Sequence, residues 1–336
     1  MMLLALLLTA TPQVAVLSTA PGAGRTELRW QPLGQKAPAK VAASFPHLED
    51  ATALGAVIPG TDRVVATAST VPSRDLSFSG TLFALEPGKP ARALVGQVAV
   101  STRPVVSAQG RIFVQRGVAG TDADGPHGRV DSLEVDEVDW ATGTVRPVLK
   151  AQGFTLFLAG VSGAELLVYR VDERGGALLA VHIDALGVRE LVPSMTPLAR
   201  DFTLDAAAHT LAFTQGDPAT RRWHVERLDL QRSVLETVGQ DSASMALLPT
   251  FLGDALAVAQ GEGLPLRAAV GDAVLLDPRA KGYPHVLAVS RSKVAVGLDE
   301  RPGDFPAPFA VALGSGSPVP LWVPARARLD LAGVRE

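Results

Sequence analysis

Apolar and polar residues alternate in short runs along the chain, and the clearest example is the stretch Arg103–Lys150. Within it, Ile112 and Val114 alternate with their neighbours, and Leu133 and Val135 alternate with acidic residues. A period of two turns one face of a strand towards a core. Turns of small residues that include glycine separate the runs, as tight hairpins require. The pattern predicts four antiparallel strands.

Weaker copies of this four-stranded unit follow one another along the chain. The second strands of the copies are expected to begin near Arg63, Arg111, Glu165, Thr210, Ala255 and Lys293. These positions are 38 to 54 residues apart. A period in the forties with four strands per period is typical of β-propeller blades. Helical repeats would instead place apolar residues three and four positions apart.

Both ends of the chain carry further strands. Gln13–Thr19, Thr26–Pro32 and Ala37–Ala42 lie one period before the first full unit, and Ala327–Val334 follows the last one. Joining the C-terminal strand to the three N-terminal strands makes a seventh blade and removes exposed sheet edges. The predicted fold is therefore all-β, a single β-propeller of four-stranded antiparallel blades over residues 13–336. Seven blades closed by the N- and C-terminal strands are favoured, and six blades are the alternative.

The repeated form also resembles a known family. It reads Φ-x-x-S-x-x-G-x-Φ-x-Φ followed by Φ-x-Φ-x-D-x-x-T-G-x-x-x-x-L, and its best copy lies in Val105–Val114 and Val135–Leu149. This form is similar to the repeat of the TolB-like (WD-like) β-propeller family of bacterial periplasmic proteins, and weak copies cover nearly the whole chain. The resemblance implies the propeller fold and does not carry over the family's own partners.

The N-terminal segment from Met1 to Ala10 is almost entirely apolar. It is too short to span a bilayer and matches the apolar part of a secretory signal. We therefore predict a signal peptide over residues 1–12 and a periplasmic or secreted protein. A buried first strand or a misassigned start codon is the alternative.

Composition limits the classes of function. Hydrophobic residues make up 47% of the chain and charged residues 19%, and 32 glycines and 25 prolines punctuate it, which suits an all-β protein. A net charge of −3 gives no electrostatic argument for binding nucleic acid or an anionic membrane. The chain has no cysteine, which excludes disulfides, thiolate zinc sites and a cysteine nucleophile. We expect a monomer with no membrane span in the mature chain.

Acidic residues near the middle of the chain are the first candidates for chemistry. Asp122-Ala123-Asp124-Gly125 with Asp131 is similar to a calcium loop but lacks a third oxygen ligand before the glycine and a closing glutamate. A solvated insertion is the favoured interpretation, and the insertion Gly117–Val130 is where we expect a specialised contact face. The acidic residues Asp131–Asp139 are interpreted as the solvent face of a strand, with a bulge at the Asp136-Glu137 step.

No pattern of catalytic residues is present. The six histidines lie outside metal-ligand spacing of one another: His47, His127, His182, His209, His224 and His285. The chain contains no Gly-x-Ser-x-Gly elbow and no phosphate-binding glycine loop before a helix. We therefore predict no catalytic, cofactor-binding or metal-ligating residue.

Three residues at the starts of inner strands are of more interest. His285 precedes an inner strand, as Arg103 and Asp201 precede or begin theirs, and such positions approach the central channel of a propeller. Enzymatic propellers place metal ligands or acid–base groups there. The favoured interpretation is that channel mouths are polar in any case.

The predicted function is that of a non-catalytic β-propeller, a protein- or ligand-binding scaffold in the bacterial cell envelope. Its partner is another envelope protein or a small ligand, without nucleic acid or cofactor. The alternative is a lactonase-like hydrolase or a lyase with a metal at the channel. The scaffold predicts no cluster of ionisable groups at the channel mouth, and the enzyme predicts at least three His, Asp or Glu side chains at one point. If Arg103, Asp201 and His285 share one funnel with other carboxylates, the preference for a non-enzyme is wrong.

Overall fold

The structure is a computed structural model that describes residues 11–72, 78–119, 130–151, 155–217, 219–220, 222–238, 245–262, 264–270, 273–274 and 281–336. Within these ranges the chain forms 27 β-strands and no α-helix. These ranges therefore contain no helix that is long and apolar enough to cross a membrane. Residues 1–10 of the predicted signal peptide lie outside the described residues, as do residues 120–129 of the predicted contact insertion.

The strands follow one another with short connections. The first eleven are β1 (Gln13–Thr19), β2 (Arg25–Pro32), β3 (Val41–Pro46), β4 (Leu54–Val57), β5 (Val64–Ser69), β6 (Gly80–Leu85), β7 (Arg92–Val98), β8 (Val105–Val106), β9 (Ile112–Ala119), β10 (Val130–Val138) and β11 (Val145–Ala151). The next eight are β12 (Thr155–Ser162), β13 (Glu165–Asp172), β14 (Gly175–His182), β15 (Val188–Met195), β16 (Ala199–Asp205), β17 (Thr210–Asp217), β18 (Arg222–Asp229) and β19 (Val234–Val238). The last eight are β20 (Met245–Leu252), β21 (Ala255–Gly261), β22 (Arg267–Val270), β23 (Ala273–Val274), β24 (Tyr283–Val289), β25 (Val294–Glu300), β26 (Ala307–Ala312) and β27 (Arg328–Arg335).

Consecutive strands pair antiparallel in groups of three or four. The groups are β4–β7, β8–β11, β12–β15, β16–β19, β20–β23 and β24–β26. Single residue pairs join some groups: Val98 of β7 pairs with Arg116 of β9, and Trp223 of β18 pairs with Met245 of β20. β27 pairs antiparallel with β1 from Gln13 opposite Arg335 to Thr19 opposite Arg328. The C-terminal strand therefore lies in one sheet with the three N-terminal strands, in the order β27-β1-β2-β3.

The core lies between neighbouring groups. Phe113 and Val135 of one group pack with Leu156 and Val168 of the next, and all four side chains are buried. Both faces of the second strands are covered in this way. This explains why burial is continuous along most of β5 and β25, since a strand covered on both faces does not alternate between buried and exposed residues.

Most strand positions agree with the sequence-based prediction. Strands β5, β9, β13, β17, β21 and β25 each begin within one residue of the predicted position, and β1 has the predicted bounds. The apolar run Val319–Val323 stands where the repeat predicts the fourth strand of the last full unit, and that prediction is wrong, because only a bridge between Val311 and Pro318 forms there. Pro318 and Pro320 have no N–H to donate to a ladder, so the strand cannot extend.

The interpretation of the acidic residues of β10 as a solvent face is also wrong. Glu134 and Asp136 are buried, with 7% and 0% of their surface exposed. Arg116 on β9 lies 2.9 Å from Asp136, and Lys150 on β11 lies 3.0 Å from Glu134. The basic partners come from the strands on either side, so the acidic residues can be buried in ion pairs. The register break lies between Val135 and Asp136 in the pairing with β11.

Candidate functional site

The first strands of the groups run side by side through the molecule. We call β27, β4, β8, β12, β16, β20 and β24 the inner strands, and each contacts the next, with β24 in contact with β27. Ionisable side chains gather near the starts of several inner strands. We call this set the inner-strand cluster, and its members are Arg103, Arg200, Asp201, His285, Glu300 and Asp330.

Asp330 is the anchor of the cluster. Its carboxylate is 3% exposed and accepts hydrogen bonds from Arg103 Nη2 at 2.5 Å and Nη1 at 2.9 Å. It also accepts the backbone N–H of Gly55 at 2.8 Å, while Arg103 donates to the Gly55 carbonyl oxygen. Two-point pairing of arginine with carboxylate is the strong form of this contact. The two side chains are therefore fixed, and Arg103 is mostly committed to the protein itself.

Gly55 is required by the close approach of the strands around this ion pair. A Cβ on Gly55 would lie 2.6 Å from Leu17 Cδ1 and 3.1 Å from the Ala332 Cβ. The first separation is shorter than real Cβ atoms show and the second is tight, so a larger residue would force the Leu17 side chain to move and would crowd β27. The position of Asp330 opposite the Gly55 N–H depends on this contact.

Arg200 and Asp201 form the second ion pair of the cluster. Arg200 Nε lies 3.0 Å from both carboxylate oxygens of Asp201. Asp201 lies in a break of register between Arg200 and Thr203, and its φ is +55°. A bulge of this kind redirects side chains at the end of a strand. The Arg200 side chain is 61% exposed, so its guanidinium remains open to a ligand.

His285 and Glu300 lie on adjacent strands, β24 and β25. The register places Tyr283 opposite Glu300 and His285 opposite Leu298. The approach of the two strands is close, because a Cβ on Gly297 would lie 2.1 Å from the His285 carbonyl oxygen. The Asp299 carboxylate holds the entry to β24 by accepting the backbone N–H groups of Lys281 and Gly282, each at 3.0 Å.

His285 is held in its neutral form. Burial lowers its pKa from 6.5 to about 3, and the positive charges of Arg103 and Arg200 act in the same direction. At neutral pH the ring therefore offers one hydrogen-bond donor and one acceptor. A group with so low a pKa is a weak base, whereas an efficient general base titrates near the working pH. His285 is thus suited to hydrogen bonding more than to proton abstraction.

The Glu300 carboxyl shows the opposite shift. Burial raises its pKa, and the negative charge of Asp201 adds to the effect, while Arg200 opposes it. The residue is nevertheless exposed to water. Both observations fit a side chain on a concave surface, where protein atoms surround the carboxyl and water still reaches it. Glu300 can therefore contact a ligand, and its carboxyl is protonated more readily than that of an ordinary glutamate.

The inner-strand cluster bears on the choice between a binding scaffold and a propeller enzyme. The charges of Arg103 and Arg200 reach His285, and those of Asp201 and Asp330 reach Glu300, so ionisable groups do gather near the starts of the inner strands, which the scaffold interpretation did not predict. In the described ranges, however, no group of three or more His, Asp or Glu side chains is placed to hold a metal ion. Neither the scaffold nor the metalloenzyme has the full set of features expected of it.

Sequence reasoning found three members of the cluster and missed Arg200, Glu300 and Asp330. These three residues follow no repeated motif. The one signal for any of them was that Asp330 lies inside the predicted C-terminal strand. Other histidines have local partners. His47 Nε2 is 2.8 Å from Thr26 Oγ1, and His224 Nε2 is 3.0 Å from a Glu226 oxygen.

Comparisons with known proteins agree with the strand arrangement. No family model and no curated protein matches this chain. A prolyl endopeptidase structure is similar with a TM-score of 0.62 and 15% identity, and the match covers 95% of this chain and 50% of that one. A puromycin-hydrolysing peptidase from Mycobacterium tuberculosis gives 0.55 and 16%, over 91% and 53% of the two chains. TolB from Acinetobacter baumannii gives 0.52 and 12%, over 84% and 82%.

The fold is a β-propeller. At identities of 12–16% these likenesses show the fold alone. This chain spans about half the length of the two peptidases and most of TolB. The similarity to TolB fits the family resemblance of the repeats, although no family model confirms it.

Proposed function

We propose that this β-propeller is a binding module of the bacterial cell envelope, and that a polar ligand or a segment of a partner protein docks at the inner-strand cluster. We further propose that it has seven blades in a closed ring. In this proposal the chain acts as a periplasmic or secreted monomer and performs no chemistry on what it binds.

The proposal of seven blades is supported by the pairing of the strands. Six groups of three or four strands follow β27-β1-β2-β3, and the inner strands contact one another in sequence from β27 through β24 and back to β27. A ring formed by pairing of the two chain ends has no open sheet edge at the junction. The proposal of an envelope location is supported by the apolar N-terminus and by the resemblance to TolB.

The observation that carries the binding proposal is the internal pairing of the cluster. Arg103 is occupied by Asp330, and His285 is a neutral ring with a pKa of about 3. Arg200 and Glu300 remain exposed between these fixed groups. A site with fixed polar groups and two accessible charges of opposite sign can recognise a polar ligand without transferring a proton to it.

A photoreactive amino acid at position 300, introduced in the full chain and irradiated in a bacterial host, tests docking at the cluster. We expect a discrete cross-linked product from position 300. Position 236 on β19 is the control, because Glu236 is 56% exposed and lies far from the inner strands in its sheet. Equal cross-linking at the two positions, or none at 300, would contradict the proposal.

A second candidate function is hydrolysis or elimination at the same cluster. The observation that favours it is the opposite pKa shifts of His285 and Glu300, since perturbed groups gather at catalytic sites. Two of the similar structures are peptidases. Purified protein should be assayed with lactones and short peptides, and its metal content measured. Activity that disappears in both His285→Gln and Glu300→Gln would replace the binding proposal with this one.

A further inference from the structure

A cavity of about 610 Å³ opens beside the inner-strand cluster. It lies between the connection of β25 to β26 and the segment that leads into β27. We call it the arginine cavity, and its main lining residues are Glu300, Arg301, Asp304, Phe305, Arg326 and Arg328. Glu300 belongs to both the cavity and the cluster, so a ligand in the cavity touches the cluster where it contacts Glu300.

Three arginines and two acidic residues give the arginine cavity a positive balance. The arginines are only partly used by the protein. Arg301 donates from Nε to Asp299 at 2.9 Å, which leaves both of its Nη groups free of that bond. Arg328 makes one long contact of 3.5 Å with Thr52 Oγ1. Arg326 is exposed, and it forms no ion pair or hydrogen bond with any residue that the structure describes.

Glu300 and Asp304 are the two acidic residues that oppose this balance. Burial raises the pKa of Glu300, so its charge is easier to neutralise than that of an ordinary glutamate. Asp304 is exposed and accepts the backbone N–H of Phe305 at 2.7 Å, which partly satisfies its charge. Unpaired arginines around a concave surface are the usual recognition element for carboxylate and phosphate groups.

A second cavity of about 330 Å³ provides a contrast. Arg227 and Arg232 line it together with four acidic residues, and Arg227 is paired with Glu236 at 2.8 Å. The formal charges that line this second cavity sum to a negative value, and Arg227 is already paired with Glu236. The two cavities therefore differ in the charge of the ligand that each could hold.

The arginine cavity also has apolar walls. Leu298 and Leu329 line it and are buried, at 3% and 7% exposure, and Phe305 and Pro306 border it. Ligand sites combine an apolar lining with a few polar groups that fix orientation. The combination here fits a ligand that has an anionic end and an apolar part.

We propose that the arginine cavity binds an anionic ligand, a carboxylate or a phosphate that carries an apolar group, with Arg301, Arg326 and Arg328 as its anion-binding residues. This inference deepens the proposed function and rests on it, because it names the class of ligand that docks beside the cluster.

Titration calorimetry on the full chain tests the inference with four small probes: phenyl phosphate, phenylacetate, inorganic phosphate and benzyl alcohol. We expect the two probes that combine a ring with an anion to bind at least tenfold tighter than inorganic phosphate or benzyl alcohol. The comparison of phenyl phosphate with phenylacetate identifies whether phosphate or carboxylate is the preferred anion. Equal binding of benzyl alcohol, or no binding of either anionic ring, would overturn the inference.

Variants assign the binding to this cavity. The double variant Arg326→Gln and Arg328→Gln should weaken phenyl phosphate or phenylacetate at least tenfold, and thermal melting checks that it folds. Asp304→Asn should strengthen binding, because it removes a negative charge from the cavity. Arg232→Gln is the matched control, since Arg232 is 81% exposed and lines the acidic cavity. Binding that survives the double variant would overturn the inference. Cross-linking at position 300 without anion binding would overturn this inference alone.

Discussion

Arg103 and Asp330 lie 227 residues apart in the chain and form a two-point ion pair, with nitrogen–oxygen distances of 2.5 and 2.9 Å. Asp330 belongs to β27, Arg103 precedes β8, and the same carboxylate accepts the Gly55 N–H of β4. A single side chain thus connects the C-terminal strand to two inner strands from the first third of the chain. The contact is at once part of the candidate site and part of the fold.

Replacing Asp330 by Asn should destabilise the protein. The variant removes a carboxylate that is 3% exposed and leaves Arg103 without its counter-ion. Breaking a fully buried ion pair costs about 3–5 kcal/mol. Because the Arg103 side chain is 33% exposed, we expect a smaller loss of unfolding free energy, about 2 kcal/mol, in urea titrations.

The matched control for this prediction is Asp62→Asn. Asp62 is 48% exposed and its nearest contact with Arg335 is 3.9 Å, so its loss should cost under about 0.5 kcal/mol. A cycle that adds Arg103→Gln isolates the pair from other effects of each substitution. If Asp330→Asn costs no more than Asp62→Asn, the pair does not stabilise the contact between β27 and β4.

A methyl group at position 55 should disturb the same contact by a different route. Gly55→Ala would place its Cβ 2.6 Å from Leu17 Cδ1 inside a packed core. Overpacking of this kind costs about 1–3 kcal/mol. Gly96→Ala is the control, because Gly96 also lies in a strand and a Cβ there meets no atom within 4 Å. Equal melting temperatures for the two variants would show that Leu17 and Ala332 make room for the methyl group without cost.

Sequence reasoning recovered the strand framework because the alternation of apolar residues is a local property. The starts of the second strands and the bounds of β1 and β27 were predicted to within one residue at most positions. The errors occurred where the alternation pattern was overridden by prolines that lack an N–H or by ion pairs with residues on neighbouring strands. Val319–Val323 is apolar, yet Pro318 and Pro320 prevent the ladder. Glu134 and Asp136 alternate as exposed residues would, yet Arg116 and Lys150 bury them in ion pairs.

The candidate site was predicted in part for the same reason. Arg103, Asp201 and His285 were found because each stands at the start of an inner strand, which a repeat makes visible. Glu300 and Asp330 could not be found in this way. Glu300 is at the end of a second strand, and Asp330 reaches the site only because β27 lies between β1 and β4. The arginine cavity depends on side chains of two loops, which the repeat does not describe.

Replacing Glu137 by Gln should change stability in a pH-dependent manner. Glu137 accepts hydrogen bonds from Arg111 at 2.6 and 2.9 Å and from Arg146 at 2.5 and 3.0 Å, and Arg111 lowers its pKa most strongly. A lowered carboxyl pKa contributes stability above the ordinary value of 4.5 that is lost as the pH falls. We expect Glu137→Gln to cost about 1–3 kcal/mol at pH 7.

The same change should matter less in acid. Below the ordinary pKa of 4.5 the unfolded chain takes up a proton that the folded carboxyl refuses, so the charged carboxyl progressively loses its advantage over the amide. The unfolding free energies of wild type and Glu137→Gln should therefore converge between pH 5 and pH 3. Glu49→Gln, at an exposed position, serves as control and should follow wild type throughout. A constant difference across this range would mean that packing, and not charge, explains the effect of Glu137.

His285 should also make stability fall in acid, beginning at a higher pH than Glu137 does. Its pKa is lowered from 6.5 to about 3 in the folded protein, by burial and by Arg103 and Arg200. The unfolded chain therefore binds a proton below about pH 6.5 that the folded chain refuses, so stability is full above this value and decreases as the pH falls towards 3. A difference of one proton gives a slope of about 1.4 kcal/mol per pH unit at most.

Urea titrations of wild type and His285→Gln between pH 7.5 and pH 4.5 measure this slope. The glutamine cannot take up a proton, so the variant should lose less stability on acidification, and the difference should grow steadily below pH 6.5. Glu300 has the opposite effect on stability. Its pKa is raised in the folded protein, so the folded chain takes up a proton more readily than the unfolded chain, and Glu300 stabilises the fold as the pH falls. It is present in both proteins and cancels from the difference.

His182→Gln, at an exposed histidine, is the control. If His285→Gln and His182→Gln give parallel curves, His285 is protonated freely in the folded state, and the argument that it is too weak a base for catalysis fails with it.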